Sequence, residues 1–105
     1  MNLRQLIYLR EIARNGLNVS KAAKRLHTSQ PGISQQILAL ERELGLPIFV
    51  REKGRLTGLT PQGIQVVQRA ESALLDIDDI RNLRNAADAD RGTFVIATTH
   101  TQARY

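Results

Sequence analysis

The chain has 105 residues, a formal net charge of +5 and no cysteine, which excludes disulfides and thiolate metal sites. That length fits one small domain plus an appendage. Residues 1–58 carry ten Lys and Arg against four Asp and Glu, whereas residues 59–91 carry four against six. A basic front half predicts a polyanionic partner for that part, and a basic protein without such a partner is the plain alternative.

Charged residues interrupt the apolar N-terminus at Arg4, Arg10 and Glu11, which argues against a signal peptide. No apolar run approaches the roughly 18 residues that a membrane span needs. We therefore expect a cytoplasmic protein with no membrane partner.

The first two predicted elements are short helices. Asn2 is expected to cap the first helix and Gly16 to end it, and Asn18 or Ser20 is expected to start the second. Their inward-facing residues are predicted to be Leu6, Leu9, Ile12, Ala13, Ala22, Ala23 and Leu26. With the turn and helix that follow, this order is typical of a helix-turn-helix.

A third helix is predicted from Pro31, which suits the first helical position, to Gly45. Its buried stripe follows helical spacing at Ile33, Ile37, Leu40 and Leu44. Its outer face comprises Pro31, Ser34, Gln35, Leu38 and Arg42. That face begins polar and uncharged, which favours contact with DNA bases over mere solubility.

A two-stranded wing is predicted next. Residues 46–50 and 56–59 have strand character, and residues 51–55 are expected to form a basic loop between them. The alternative for this loop is an ordinary solvated hairpin.

Thr60 and Pro61 predict the start of a fourth helix that runs to about Asn85. Its apolar stripe comprises Ile64, Val67, Ala70, Leu74, Ile77, Ile80 and Leu83. Little chain remains to cover such a stripe, so a partner helix is expected. The alternative is that the helix folds back on its own domain.

The last residues predict a hinge over 86–92 and a β-branched strand over 93–98. A strand without a neighbour cannot satisfy its backbone, so we expect the chain to be the front of a longer protein.

These features resemble the N-terminal domain of LysR-type transcriptional regulators. The matching segments are residues 2–6, 22–31 with Ser34 and Ile37, 40–41, 43–45, 48–51 and 59–63. Residues 18–20 and 96–105 are similar to the CysB-type branch of that family, which controls sulfur assimilation.

The resemblance implies a mainly α fold with three parts. These are a winged helix-turn-helix DNA-binding domain over residues 1–60, a linker dimerisation helix over 61–87, and a hinge with the first strand of a truncated effector-binding domain over 88–105. It implies a sequence-specific regulator, not an enzyme, that binds double-stranded DNA as a homodimer. The third helix would lie in the major groove.

The resemblance also implies roles for individual residues. DNA contacts fall on Thr28, Ser29, Gln30, Pro31, Ser34, Gln35, Arg51 and Lys53. Dimer contacts fall on Ile64, Val67, Ala70, Leu74 and Ile77. The chemistry agrees, because glutamine can bond adenine N6 and N7, proline can press on a thymine methyl, and a helix N-terminus suits a phosphate. Weaker candidates for a DNA contact are Lys21, Lys24 and Arg25, for which the favoured alternative is a simply solvated helix surface.

For the end of the chain, the resemblance implies an inducer pocket lined by Thr99, Thr101 and Gln102, where sulfate-like anions or acetylserines bind. The alternative is that these are plain polar residues at a strand end. No cofactor or metal is expected, since His100 has no other His or Cys at ligand spacing. A small-molecule or anion inducer, a tetramer and a contact with RNA polymerase are expectations for the full-length protein.

Two other functions are weighed against the regulator. A non-specific architectural DNA-binding protein explains the charge but not the uncharged Gln30, Ser34 and Gln35 face. An enzyme acting through Ser29 or His100 would need a base, and only His27 and Glu41 are nearby candidates.

Overall fold

The computed structural model describes the backbone of residues 1–103 and the side chains of residues 1–85. The order of elements is α1 (Leu3–Arg14), α2 (Val19–Arg25), α3 (Gln30–Leu44), β1 (Phe49–Glu52), β2 (Arg55–Leu59) and α4 (Pro61–Ala103). The chain divides into two compact units, Met1–Leu74 and Leu75–Tyr105. The first unit confirms the predicted winged helix-turn-helix and the mainly α class.

The first two helices begin at asparagine caps. The Asn2 Oδ1 accepts from the backbone N–H of Gln5 at 2.8 Å, and Gln5 Oε1 accepts from the Asn2 N–H at 3.1 Å. This reciprocal pair is a capping box, which satisfies two N–H groups that the helix leaves unpaired. In α2 the cap is Asn18, whose Oδ1 accepts from the Lys21 N–H at 2.9 Å. Of the two predicted starts, Asn18 is therefore the correct one.

Helix α3 has clear start and stop signals. Ser29 is its N-cap, and Gly45 ends it in the left-handed conformation at φ 71°. Pro31 occupies the second helical position, not the predicted first, because Gln30 already belongs to the helix. The position still suits proline, since the first four N–H groups of a helix have no partner within it.

The core joins all three short helices to the residues on either side of the wing. Its fully buried large side chains are Leu9, Ile12, Ile33, Ile37, Leu40, Ile48 and Phe49. Two small residues of α2, Ala22 and Ala23, are also buried and allow close helix contact. The predicted stripe of α3 is thus confirmed, except that Leu44 is only half-buried and Glu41 is buried beside it.

The wing has a shorter turn than the sequence predicted, and its first strand begins and ends later along the chain, at Phe49 and Glu52. The antiparallel strands pair Glu52 with Arg55, so only Lys53 and Gly54 form the turn. Both have positive φ, 52° and 76°, as in the turns whose twist matches a hairpin. The prediction of a loop over residues 51–55 is therefore wrong, because two left-handed residues suffice to reverse the chain.

The start of α4 is held against the residues that precede β1. Thr60 Oγ1 accepts from the Gly63 N–H at 2.9 Å and donates to the Pro47 carbonyl at 2.6 Å. A Cβ on Gly63 would lie 2.0 Å from the Ile48 carbonyl oxygen, a distance that no side chain allows. Glycine is therefore required for this close approach.

Helix α4 also differs from its prediction at the other end, because it continues to Ala103. Neither a hinge over 86–92 nor a strand over 93–98 interrupts it. Alanines at 86, 87 and 89 favour a helix, and a strand would need a neighbour for its backbone hydrogen bonds. The domain boundaries at residues 60 and 87 stay predictions, and the side chains of Thr99, Thr101 and Gln102 lie outside the described ones.

In the part of the chain that the structure describes, no helix is both long enough and apolar enough to span a bilayer.

Candidate nucleic-acid interface

The front of α3 presents polar, uncharged side chains to solvent. Gln30, Pro31 and Gln35 are exposed, and Ser34 is half-buried. Behind them, the buried stripe of α3 packs in the core and fixes the helix in place. The structure thus leaves the predicted face accessible, with its first turn at the molecular surface.

A hydrogen bond from α2 orients the first residue of this face. Ser20 Oγ donates to Gln30 Oε1 at 2.9 Å. The bond joins the two helices of the helix-turn-helix and fixes the oxygen side of the carboxamide. Its Nε2 donors stay available for an acceptor such as a base N7 or O6. Residue spacing does not predict this contact, because the two residues lie on different helices.

The N-terminal turn of α3 uses Ser29 as its cap. Ser29 Oγ accepts from the Gly32 N–H at 3.1 Å. A Cβ on Gly32 would lie 2.9 Å from that oxygen, so glycine makes room for the cap. Ser29 is therefore a capping residue in the structure, and its hydroxyl can still donate a hydrogen bond. Thr28 is half-buried beside it.

The two wing residues predicted to bind DNA are in different situations. Lys53 is exposed at the turn. Arg51 lies within β1, and its guanidinium forks onto Glu41, with Nη2–Oε1 at 2.7 Å and Nη1–Oε2 at 3.2 Å. The same Glu41 Oε2 accepts from the N–H groups of Ile48 at 2.6 Å and Phe49 at 3.3 Å.

Four hydrogen bonds therefore converge on one buried carboxylate. Burial alone raises the pKa of Glu41, but the hydrogen bonds from Arg51, Ile48 and Phe49 and the charge of Arg51 outweigh it. The pKa of Glu41 consequently lies below its ordinary value, and the group is ionised at neutral pH.

A groove between α2, α3 and the wing brings together three of the eight predicted DNA-contact residues, Gln30, Ser34 and Arg51. Its lining also includes Ser20, Leu38 and Arg55. The remaining five, which do not line this groove, are Thr28, Ser29, Pro31, Gln35 and Lys53. The predicted residues thus share the α3 and wing side of the first unit without forming one pocket.

The predicted dimerisation residues differ in how deeply the structure buries their side chains. Val67 and Ala70 pack in the core of their own protomer, and Leu74 is 3% exposed. Within the protomer these three side chains are already buried, so little of their surface is left exposed. The spacing identified a buried face, and at Val67 and Ala70 that face packs in the core with the helix-turn-helix.

Other side chains of α4 are apolar and exposed. In the first unit Ile64 is 47% exposed, and in the second unit Leu75, Ile80 and Leu83 are each more than half exposed. Ile77 is half-buried. The assignment of particular residues to a dimer contact stays a prediction.

The geometry also bears on the enzyme alternative. Glu41 was one of its two candidate bases, and both of its carboxylate oxygens are occupied by donors. His27, the other candidate, is exposed in the turn before α3 with φ 55°.

Residues 3–64 match the family model described as a bacterial regulatory helix-turn-helix protein, lysR family. This match covers more than half of the chain. The chain belongs to the LysR family. The recognition from the sequence is thereby confirmed.

Two curated relatives of this LysR-family chain come from Burkholderia cenocepacia. The transcriptional regulator SsuR is 51% identical and the regulator CysB is 42% identical, each matched over the whole of this chain and 34% of the relative. Both are transcriptional regulators and not enzymes. The chain spans about a third of the length of these relatives.

Among solved structures, the LysR-family chain is similar to the protein in the crystal structure of a BenM_DBD/catB site 1 DNA complex. The identity is 32% and the TM-score is 0.74, over 81% of this chain and 93% of that one. The likeness therefore covers a larger part of the chain than residues 1–60 alone make up.

Proposed function

We propose that this chain binds a specific DNA sequence by placing α3 in the major groove and the wing on the adjacent backbone. The observation that carries the proposal is the exposed front of α3, where Gln30, Pro31 and Gln35 project from a helix whose rear is buried in the core. The similar BenM domain was crystallised with DNA, which supports the same use of the fold here.

The front of α3 offers chemistry that discriminates between bases. A glutamine carboxamide can donate and accept at adenine N6 and N7, and a proline ring can contact a thymine methyl. Gln35 is exposed, so it is free to make such a pair, whereas Gln30 has its oxygen side held by Ser20. Gln35 is therefore the side chain from which we expect the strongest base preference.

Around this face, other side chains supply attraction without sequence preference. Lys53 and Arg55 are exposed on the wing, and Lys21, Lys24 and Arg25 are exposed on α2. Cations at these positions favour the DNA backbone and make binding sensitive to salt. Affinity and specificity are thus assigned to different residues.

The chain is further proposed to act as a homodimer through α4. Exposed apolar side chains such as Leu75 and Ile80 are costly in water and suit a second copy of the helix. A two-fold pair would present two copies of α3 to two half-sites.

The names of the relatives extend the proposal to the whole regulator. Similarity to SsuR and CysB supports membership of the CysB-type branch, for which control of sulfur assimilation in the cytoplasm is proposed. A small anion or acetylserine inducer, held in part by Thr99, Thr101 and Gln102, is proposed on the same basis. A tetramer and a contact with RNA polymerase remain proposals for the full-length protein.

The test is a comparison of specific with random DNA. The chain is used to select duplexes from a random oligonucleotide pool, and the selected duplex and a shuffled one are then titrated at one fixed salt concentration. We expect an affinity ratio of about 10³ or more, as specific DNA-binding proteins show. A ratio near one would instead identify a non-specific architectural protein.

A further inference from the structure

We infer that Arg51 is a positioning residue, which fixes the wing relative to α3 through Glu41 and does not itself neutralise a DNA phosphate. The inference rests on the proposed DNA-binding function and specifies how two of its elements are held together. It replaces the assignment of Arg51 as a direct DNA contact.

The positive charge of Arg51 already has a partner within the protein. Nη1 and Nη2 of Arg51 each bond a different oxygen of Glu41, at 3.2 and 2.7 Å. Glu41 is buried and ionised, so the positive charge of Arg51 is compensated within the protein. A compensated charge releases few counterions from DNA, since release depends on how many phosphates the protein neutralises. Arg51 is thus poorly suited to a phosphate contact.

The position of Glu41 makes its side chain a link between two elements. Glu41 lies on the buried face of α3, one turn beyond Ile37. Its carboxylate also accepts from the N–H groups of Ile48 and Phe49, where the chain enters β1. One side chain therefore joins α3 to the first residues of the wing and, through Arg51, to the middle of β1. Charge-assisted, bidentate bonds of this kind fix geometry as well as adding stability.

The consequence concerns the two elements that are proposed to touch DNA. The front of α3 and the wing turn at Lys53 can bind the same duplex only if their relative placement is kept. Without the pair, the wing would be less well placed, and affinity would fall although no phosphate contact had been removed. That combination differs from the loss of a phosphate contact, which lowers both the affinity and its dependence on salt.

The experiment measures binding of the full 105-residue chain to the selected duplex over a series of salt concentrations. The variants are Arg51→Met, Glu41→Gln, the double variant and, as the phosphate-contact control, Lys53→Met. We expect Arg51→Met and Glu41→Gln each to weaken binding about tenfold, and the double variant to be no weaker than the weaker single one. The salt slopes of Arg51→Met and of the double variant should equal that of the wild type, whereas Lys53→Met should reduce the slope by about one.

An Arg51→Met slope reduced by about one, or a double variant whose losses simply add, would overturn the inference. Arg51→Lys separates the two roles while retaining the charge. A positioning role predicts a loss similar to that of Arg51→Met, because an ammonium cannot form the fork, whereas a phosphate contact predicts near wild-type binding. All titrations are made well below the melting temperature of each variant.

Amide exchange supplies a readout on the protein alone. In Glu41→Gln the N–H groups of Ile48 and Phe49 should exchange faster, while that of Leu9 in α1 should not change. Unchanged exchange at both positions would contradict the positioning role. A failure of the proposed function itself would appear in the wild-type chain, as no preference for the selected duplex. A failure of the positioning role alone would leave that preference intact and would appear only in the salt slopes of the variants.

Discussion

Helices α3 and α4 both carry apolar side chains at helical spacing, but the two helices differ in what they leave exposed. The α3 stripe is buried in the core and leaves a polar front exposed. On α4 the regular positions Val67, Ala70 and Leu74 are buried as well, although a partner helix had been expected to cover them. The helical spacing of apolar residues therefore identifies which face of a helix is buried, but not which surface covers that face.

The largest effect is expected from Leu74→Asp. Leu74 is 3% exposed, so the substitution removes a buried side chain and places a carboxylate in an apolar site. We expect the free energy of unfolding to fall by about 3 kcal/mol or more. Chemical denaturation at low protein concentration measures it. A chain with wild-type stability would show that Leu74 is not covered within the protomer.

The matched control is the neighbouring residue, Leu75→Asp. Leu75 is 59% exposed, so the substitution should change the stability of the monomer by about 0.5 kcal/mol or less. The same change should weaken a dimer that pairs exposed residues of α4. Sedimentation at several concentrations measures the dissociation, and an unaltered profile would remove Leu75 from the proposed interface.

The next effect concerns the place where α4 meets the wing. In Gly63→Ala the added Cβ collides with the Ile48 carbonyl, which must move because it is backbone. We expect a loss of about 1–3 kcal/mol, as for other overpacked sites. Gly58→Ala is the control, since nothing lies within 4 Å of a Cβ there. Equal thermal stability of both variants would contradict the tight approach.

A pH-dependent effect distinguishes Glu41 from the apolar part of the α3 stripe. Because the folded-state pKa of Glu41 is lowered, its stabilisation is present above the ordinary pKa and is lost as the pH falls through the folded value. Between about pH 6 and about pH 3 the wild type should therefore lose more stability than Glu41→Gln, which cannot titrate. Urea midpoints across that range measure it. If the urea midpoints of the wild type and Glu41→Gln fell in parallel with pH, Glu41 would not be the cause of the pH dependence.

The smallest effect is expected from Ser20→Ala, which removes the hydrogen bond to Gln30. Both residues are exposed, so stability should change by at most about 0.5 kcal/mol. The base preference at the DNA base pair that Gln30 contacts should broaden, because the Gln30 carboxamide is no longer oriented by Ser20. Binding to a set of single-base variants of the selected duplex tests this, with Ser72→Ala as an exposed control on α4.

Local signals in the sequence predicted most of the fold. Asn2, Asn18 and Gly45 act through their own backbone neighbours, so their effect can be predicted from residue type and spacing. The short turn at Lys53 and Gly54 was missed because lysine rarely takes a positive φ. The continuation of α4 was missed because β-branched residues after 92 outweighed the alanines before them.

The candidate site was predictable where it depends on one helix and not where it depends on two. Helical geometry alone placed Pro31 and Gln35 on the exposed front of α3. The bonds from Ser20 to Gln30 and from Arg51 to Glu41 join different elements, and residue spacing carries no information on them. A carboxylate at an otherwise apolar position of the stripe, Glu41, was the one signal that could have indicated a buried partner.

The central claim is that the front of α3 reads bases, and the base preference of Gln35→Ala tests it most directly. The wild type, Gln35→Ala and the control Gln65→Ala, which is exposed on α4, are each used to select duplexes from the same random pool. The account predicts that Gln35→Ala alone loses preference at one base pair of each half-site and binds the wild-type duplex about 1–3 kcal/mol more weakly. An unchanged preference at every position would contradict it.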